Sequence, residues 1–514
     1  MPDSRLQTSQ IDRRGPDQIA SRSTTVTTTP TQSILALFNS ARIQEIEEAA
    51  IEMEWNGFQI DSAYFHGQAE RASEDLARCY GQLRDSLSGL GIRREEPDAI
   101  WTSSKQLVAL FHDDKDGLRL PPSPYWFKGR VDVDNGERKL DRTALEWVAS
   151  HSARGRFGDN PSARGIVEGV MELRRISSSL KYLTKLPKYV GPDGFVHPCC
   201  GPASDEDDRV GAITGRRAMK NPEAHQIPRD KRKDRYHIRR GFIAPPGMKL
   251  VVRDYTALEV VIIANICEWL FGDTQLLDLT APGVDIHAHN AYTVFGKYLG
   301  WTTPSGRSIR DYPRLELYKT DQELAWYRDA IKAVWYKLQY GGTVHGFATS
   351  LRDQTGEPVG KTRAQEIVSA LYEAVPSVPK WTNFVADLLR RDGGICALDG
   401  RYVDYSALIA RGNGRKDDTD WAFQKAVRGA QNLPAQGTGA FVIGCAMVDA
   451  MNSPEMRRLG ALHELEVHDE LRWRCPEANA KEVFGLTGEI MRGAFPLKNL
   501  RTEGGIGDNW EAAK

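Results

Sequence analysis

The sequence predicts an α+β fold, mostly helical with a small set of strands, and three observations carry that prediction. Apolar residues recur at helical spacing from about Ile34 through "IQEIEEAAIEMEWNGFQID", over about 62–90, over 165–187 and through most of 285–390. "MKLVV" (248–252) is an apolar run of strand length that leads through Asp254 into the helical "LEVVIIANIC". "LHELEV" and "LRWRC" alternate apolar with polar residues on either side of His468-Asp469-Glu470, as the arms of a hairpin do.

With 514 residues the chain is long enough for one multi-lobed enzyme or for two to four domains. A composition of 40% hydrophobic and 27% charged residues is that of a soluble globular protein. The formal net charge is −1, so a surface for nucleic acid must be local. Residues 229–240, "RDKRKDRYHIRR", hold seven Lys or Arg in twelve positions; such a run is either solvated or set against phosphates. Seven scattered cysteines without zinc spacing point to thiols in a reducing, cytoplasmic setting. The first 34 residues are polar and read as a disordered tail, without a signal peptide's apolar core. The longest apolar stretch, near "EVVIIANIC" (259–267), is too short to span a membrane.

Chemistry concentrates in three places. Asp254 ends an apolar strand, where a carboxylate is costly unless a metal or another cation pairs with it. Asp469 and Glu470 fall at a hairpin tip, which exposes the acidic pair at the end of a stiff scaffold. Two aspartates on separate strands are the oxygen donors a Mg²⁺ pair needs, with room left for waters and substrate phosphates. In "RDAIKAVWYKLQYGG" (328–342), Arg328, Lys332, Tyr336 and Tyr340 stand four apart, a helical stripe of roughly 18 Å. Ile331, Val334, Trp335 and Leu338 form the adjoining apolar face. Such a helix docks on its apolar side and offers cations to phosphates and tyrosines to a sugar or base.

These stretches resemble the polymerase region of family A DNA polymerases, the bacterial DNA polymerase I family. "RDYTALE" is similar to its first carboxylate motif, "RDAIKAVWYKLQYGG" to its nucleotide-binding helix and "VHDE" to its last carboxylate motif. Between them "DIHAHNAYTVFG", "ALDGRYV" and "RGAQNLPAQGTGA" follow in the family's order. Upstream, "ITGRRAMKNPEAHQIP", "SSKQL" and "MEWNGFQID" also fit, so the resemblance covers roughly residues 40–514. It implies a right-hand fold of thumb, palm and fingers with an antiparallel palm sheet. It divides the chain into a tail (1–34), the start of the palm with the thumb (35–205), palm (206–265), fingers (266–425) and palm again (426–514).

The resemblance also implies roles. Asp254 and Asp469 bind two Mg²⁺ ions, with Glu470 in support. Arg328 and Lys332 hold the triphosphate of a dNTP, Lys332 protonates pyrophosphate, and His287 touches the phosphates. Tyr340 and Gly341 lie near the templating base. Arg216, Arg428, Asn432, Gln436 and His468 contact primer–template DNA. Glu259 is the steric gate against a 2′-hydroxyl, and Tyr336, where many members have Phe, favours acceptance of dideoxynucleotides.

Two departures stand out. Where the family has "DYSQIELR" this chain has "DYTALEVV", so Ala257 and Val261 replace polar groups near the primer. Only about 40 residues precede the thumb region, so the expectation is a chain without a proofreading exonuclease; a separate exonuclease or processivity subunit stays open as a partner. One rival is a single-subunit RNA polymerase or a reverse-transcribing relative; Glu259 and Glu470 oppose the former. The other is an inactive nucleic-acid-binding module, which intact Asp254, Lys332 and Asp469 oppose.

Overall fold

The apolar run at 248 is a strand because both of its faces are covered. In the computed structural model, which describes residues 41–93, 97–113, 115–121, 140, 142–202, 214–228, 234–339, 344, 346–348, 351, 360–417 and 419–514, it spans Met248–Tyr255 (β1). Leu462–Val467 (β2) and Glu470–Pro476 (β3) form the expected hairpin, and Thr502–Gly507 (β4) adds a fourth strand. The sheet is antiparallel throughout, in the order β4-β1-β3-β2. Register sets Asp254 opposite both Glu470 and Glu503, so one sheet face gathers three carboxylates at one end. The opposite face packs on the helix Ala480–Gly493: Arg253 Nε donates to Phe484 O at 3.1 Å and Tyr255 Oη to Met491 O at 2.6 Å.

The alternation in the hairpin arms does not mark a wet face. Glu464 and Arg472 are 0% and 1% exposed, and Glu466 and Arg474 are buried too. Arg474 donates to Glu464 Oε1 at 2.9 Å, and the Arg472 guanidinium lies 3.2 Å from Glu464 Oε2. Arg472 also sits 5.0 Å from the Trp510 ring centre, and near Phe58 and Phe242. A buried ion pair thus underlies the sheet, stacked among aromatic rings.

Helices surround this sheet. In chain order they include α1 (Ala41–Asn56), α2 (Ser62–Gly89), α3 (Pro161–Lys185), α4 (Leu258–Phe271), α5 (Ile286–Ala291), α6 (Gln322–Gln339), α7 (Trp421–Asn432) and α8 (Thr438–Asn452). Asp61 caps α2, and Asn160 with Pro161 starts α3, so both long helices begin at sequence signals. They pack along Leu83, Leu87, Ile166, Val170 and Leu173, all buried. Helix α4 follows β1 through Ala257, a non-glycine residue with φ of 54°. Helix α6 begins ahead of Arg328, because Asp321 accepts from the Glu323 and Leu324 N–H groups and pairs with Arg307. The tail at 1–34 and the start of helicity at Ile34 lie outside the described residues. None of the seven cysteines forms a disulfide. Among the described residues no helix is long and apolar enough to cross a membrane.

Candidate active site

Strand pairing builds the acidic centre. The Tyr255 N–H donates to Asp469 O at 3.0 Å, which ties the end of β1 to the hairpin turn. The turn itself is tight: His468 adopts a φ of 62° and is exposed. Asp254 is 1% exposed and Asp469 half-buried. The exposed acidic pair expected at the tip is therefore corrected for Glu470. It is the first residue of β3, 3% exposed, because register turns it inward beside Asp254. Its carboxylate accepts from the Trp510 indole N–H and from Lys514, and Arg239 lies 3.7 Å away.

A cleft of about 680 Å³ opens over this centre. Asp254, Asp469, His287, Arg328 and Lys332 line it, joined by Lys319 and Arg501. The cations are positioned by Asp285, which the motif reading passed over. One of its oxygens caps α5 by accepting from the His287 and Ala288 N–H groups, both at 3.1 Å. The other takes Arg328 Nε at 2.9 Å and Lys319 Nζ at 3.2 Å. Burial pushes the Asp285 carboxyl up, but these donors outweigh it and hold it down at about 2. Burial lowers His287 to about 4, with Arg328 and Lys332 adding to the effect against Asp285. His287 is therefore a neutral hydrogen-bonding group near pH 7.

A second cavity of about 350 Å³ adjoins the first at Ala257 and Asp469. Arg216, Glu259, His468 and Glu466 line it, beside Gly439 and Ala440 of α8. Glu259 stands in the first turn of α4 and accepts from Arg216 at 2.7 Å. Burial raises its carboxyl's pKa, and Arg216 opposes that. Glu466 is pushed up to about 7 by burial, with Arg217 3.9 Å away as its counter-ion.

Other sequence candidates fall elsewhere. Arg428 and Asn432 lie on α7 and Gln436 just beyond it, four apart, and none lines either cavity. The turn that follows approaches the Arg216 segment: a side chain at Gly437 would lie 3.4 Å from Thr214 O. Tyr336 is on α6, where Ile331, Val334 and Trp335 are buried as expected. Tyr340 and Gly341 lie outside the described residues. Where the basic run at 229–240 is described, its arginines are paired with acids or buried, and Arg235 and Arg240 are exposed. Arg235 pairs with Asp75 and Glu172, Arg240 with Glu511, and Arg239 is buried beneath the Trp510 ring.

The donor set fits divalent metal. Two carboxylates from different segments share one cleft with several cations, and a lysine ammonium already answers the Asp254 charge at 3.3 Å. Among the described residues no three His, Cys, Asp or Glu form a ready-made cage. Mg²⁺ takes one or two carboxylates and keeps its other positions for water and phosphate, a number that Asp254 and Asp469 can supply.

Comparison with known proteins identifies the family. The profile of DNA polymerase family A matches residues 103–310 and 315–512. The thermostable DNA polymerase I of Thermus aquaticus is 28% identical over 466 residues, 90% of this chain and 47% of that protein. The enzyme of that name from Thermus thermophilus is 30% identical over 90% of this chain and 46% of its own. DNA polymerase I of Deinococcus radiodurans is 27% identical over 89% of this chain and 40% of its own. The chain spans about half the length of the curated relatives it matches. A solved structure, the POL domain of Pol1 from M. smegmatis in complex with DNA primer-template and dNTP, superposes with a TM-score of 0.71 at 22% identity. It covers 92% of this chain and 71% of that one, and it shows the right-hand polymerase fold. By the extent of the profile match, this chain belongs to DNA polymerase family A.

Proposed function

We propose that this chain is a template-directed DNA polymerase, adding dNTPs to a primer 3′ end. One observation carries the reading: Asp254 and Asp469 line the same cleft as Arg328, Lys332 and His287. In this reading the sheet with α4 and α8 is the palm, residues 266–425 are the fingers, and the α2–α3 pair belongs to the thumb. Primer–template DNA and dNTPs are the partners, as in the complex of the solved relative. Asp254 and Asp469 would hold two Mg²⁺ ions, which when bound would supply Lewis-acid activation of the primer hydroxyl and charge neutralisation of the leaving pyrophosphate. Arg328, kept in place by Asp285, and Lys332, one turn further along α6, receive the triphosphate. Lys332 delivers a proton to the departing pyrophosphate. Neutral His287 donates a hydrogen bond to a phosphate oxygen. Arg216, Arg428, Asn432, Gln436 and His468 grip the primer–template beside the second cavity. Asp254 and Glu470 keep their spacing because adjacent strands fix it. A separate exonuclease or processivity subunit keeps a place in this reading, and a cytoplasmic setting fits it.

The test is extension of a labelled DNA primer on a DNA template with Mg²⁺, in lanes of four dNTPs, four NTPs, and dNTPs with Asp469→Ala. Extension by dNTPs alone, lost in the variant, is the expected result. Extension by NTPs would move the reading to an RNA polymerase, and duplex binding without extension to a binding module.

Glu259 gives this reading a quantitative edge. Its carboxylate projects from the first turn of α4 into the cavity beside Asp469 and is braced by Arg216. Glu259→Ala should lower the preference for dNTP over NTP by about 10–200-fold, the range that loss of one close contact in a pocket produces. The ratio of kcat/KM values measures it, and an unchanged ratio removes Glu259 as the gate. Tyr336→Phe should make the chain discriminate against dideoxynucleotides by at least ~10-fold more, the worth of one hydrogen bond in a dry site. Competition between ddNTP and dNTP reads this, and strong discrimination already present in the wild type refutes it.

A further inference from the structure

The segment after β4 is folded back so that it delivers a lysine onto the paired carboxylates. Trp510 and Ala513 are fully buried; the Trp510 N–H donates to Phe242 O at 2.9 Å and the Ala513 N–H to Asn509 O at 3.1 Å. Glu511 is clamped by His237 and Arg240, each at 2.9 Å. Strand β4 makes room for this return. Gly505 and Gly507 share the face of Glu503, which is the Asp254 face. A side chain at Gly505 would lie 3.0 Å from Ala513 O, and one at Gly507 2.6 Å from Ala513 N. A Cβ at Gly507 would force the segment to shift, and one at Gly505 would press on it. The outcome is Lys514 Nζ at 3.3 Å from Asp254 Oδ2 and in contact with Glu470 Oε2.

We propose that Lys514 is a tethered cation that holds the Asp254–Glu470 pair while no divalent ion is bound, and yields Asp254 when one binds. Lys514 thereby sets the ion concentration at which the site loads. The proposal rests on the reading of Asp254 as a metal ligand. Two adjacent buried carboxylates require a counter-charge, and an ammonium on a flexible stem supplies one that can leave. Its side chain is 22% exposed, so a way out to water exists. When it leaves, Glu470 keeps the Trp510 N–H and the Arg239 guanidinium at 3.7 Å. An ammonium and a divalent ion at neighbouring positions repel each other, so the two compete for Asp254.

Mn²⁺ binding to the full chain, without DNA or nucleotide and followed by electron paramagnetic resonance, tests this. Lys514→Met should bind Mn²⁺ at least ~10-fold tighter than the wild type, and Lys514→Arg within ~3-fold of it. Lys514→Gln repeats the neutralisation should the methionine variant fold poorly, and Asp254→Asn should lose the ion. Unchanged affinity in the neutral variants overturns the proposal. Weakened affinity overturns it too, since it shows a lysine that orients the carboxylates instead of competing for them. No Mn²⁺ bound by any chain overturns it together with the metal reading. Because no nucleotide is turned over, failure of the polymerase reading in primer extension stays a separate result.

Discussion

Asp469→Ala should reduce primer extension by roughly 10³–10⁴-fold, several kcal/mol of lost transition-state stabilisation, while leaving the fold intact. The backbone tie at this position can be separated from the chemistry. Asp469 is half-buried on the hairpin turn, and its contact with β1 is made by its carbonyl, which accepts from the Tyr255 N–H at 3.0 Å. Alanine keeps that carbonyl. Asp254 offers no such separation, since it is 1% exposed and answered by Lys514. Single-nucleotide insertion under saturating dNTP, with circular dichroism on the same samples, measures both halves of the prediction. A variant that retains a tenth of the wild-type rate would remove Asp469 from the chemistry. Loss of rate together with loss of helicity would assign it a structural part instead.

Arg472→Ala should cost about 3–5 kcal/mol of stability, because it removes one of the two cations that answer a buried carboxylate. Glu464 is fully buried, and burial already raises its pKa despite both arginines. Burial likewise lowers Arg472 to about 10, so desolvation outweighs pairing on both sides of this contact. Of the two partners, Arg474 keeps its hydrogen bond to Glu464 at 2.9 Å in the variant. The truncation also empties the space between Phe58, Phe242 and Trp510. Arg472→Met, which refills that space without charge, should recover part of the loss. Urea unfolding of the three proteins decides the matter, and a change below about 1 kcal/mol for Arg472→Ala would show that the pair contributes no net stability. The effect should extend to activity, since Trp510 donates to Glu470 from the same stack.

The legible parts of this molecule were those in which local chemistry and tertiary role agree. The helix expected over about 62–90 begins behind its cap Asp61, while the one expected from 165 begins four residues earlier, at Asn160 and Pro161. Ile331, Val334 and Trp335 are buried because their spacing gives α6 one apolar face. The hairpin at 462–476 followed from alternation, but its solvent exposure did not. Glu464, Glu466, Arg472 and Arg474 sit at polar positions and are buried, paired across neighbouring strands or with the segment at 217. Alternation reports which residues share a face, and only tertiary packing decides whether that face is dry. Asp285 was missed for a related reason. An aspartate before a helix is read as a cap, and its second oxygen is free to organise Arg328 and Lys319. Lys514 had no signal at all, since its position depends on two glycines of β4 and on register with a strand formed far earlier in the chain.

That register carries a consequence for how the chain is made. Strand β1 is central, yet both of its neighbours, β3 and β4, are encoded roughly 200 positions later. Emerging from a ribosome, Leu250, Val251 and Val252 wait with two open edges until the last tenth of the chain arrives. Such a strand is an aggregation hazard during synthesis. Loop closure over that span makes completion of the sheet a slow, late event. The acidic centre therefore comes into being only with β3, and partly made chains carry Asp254 and the cations of α6 without Asp469 and Glu470.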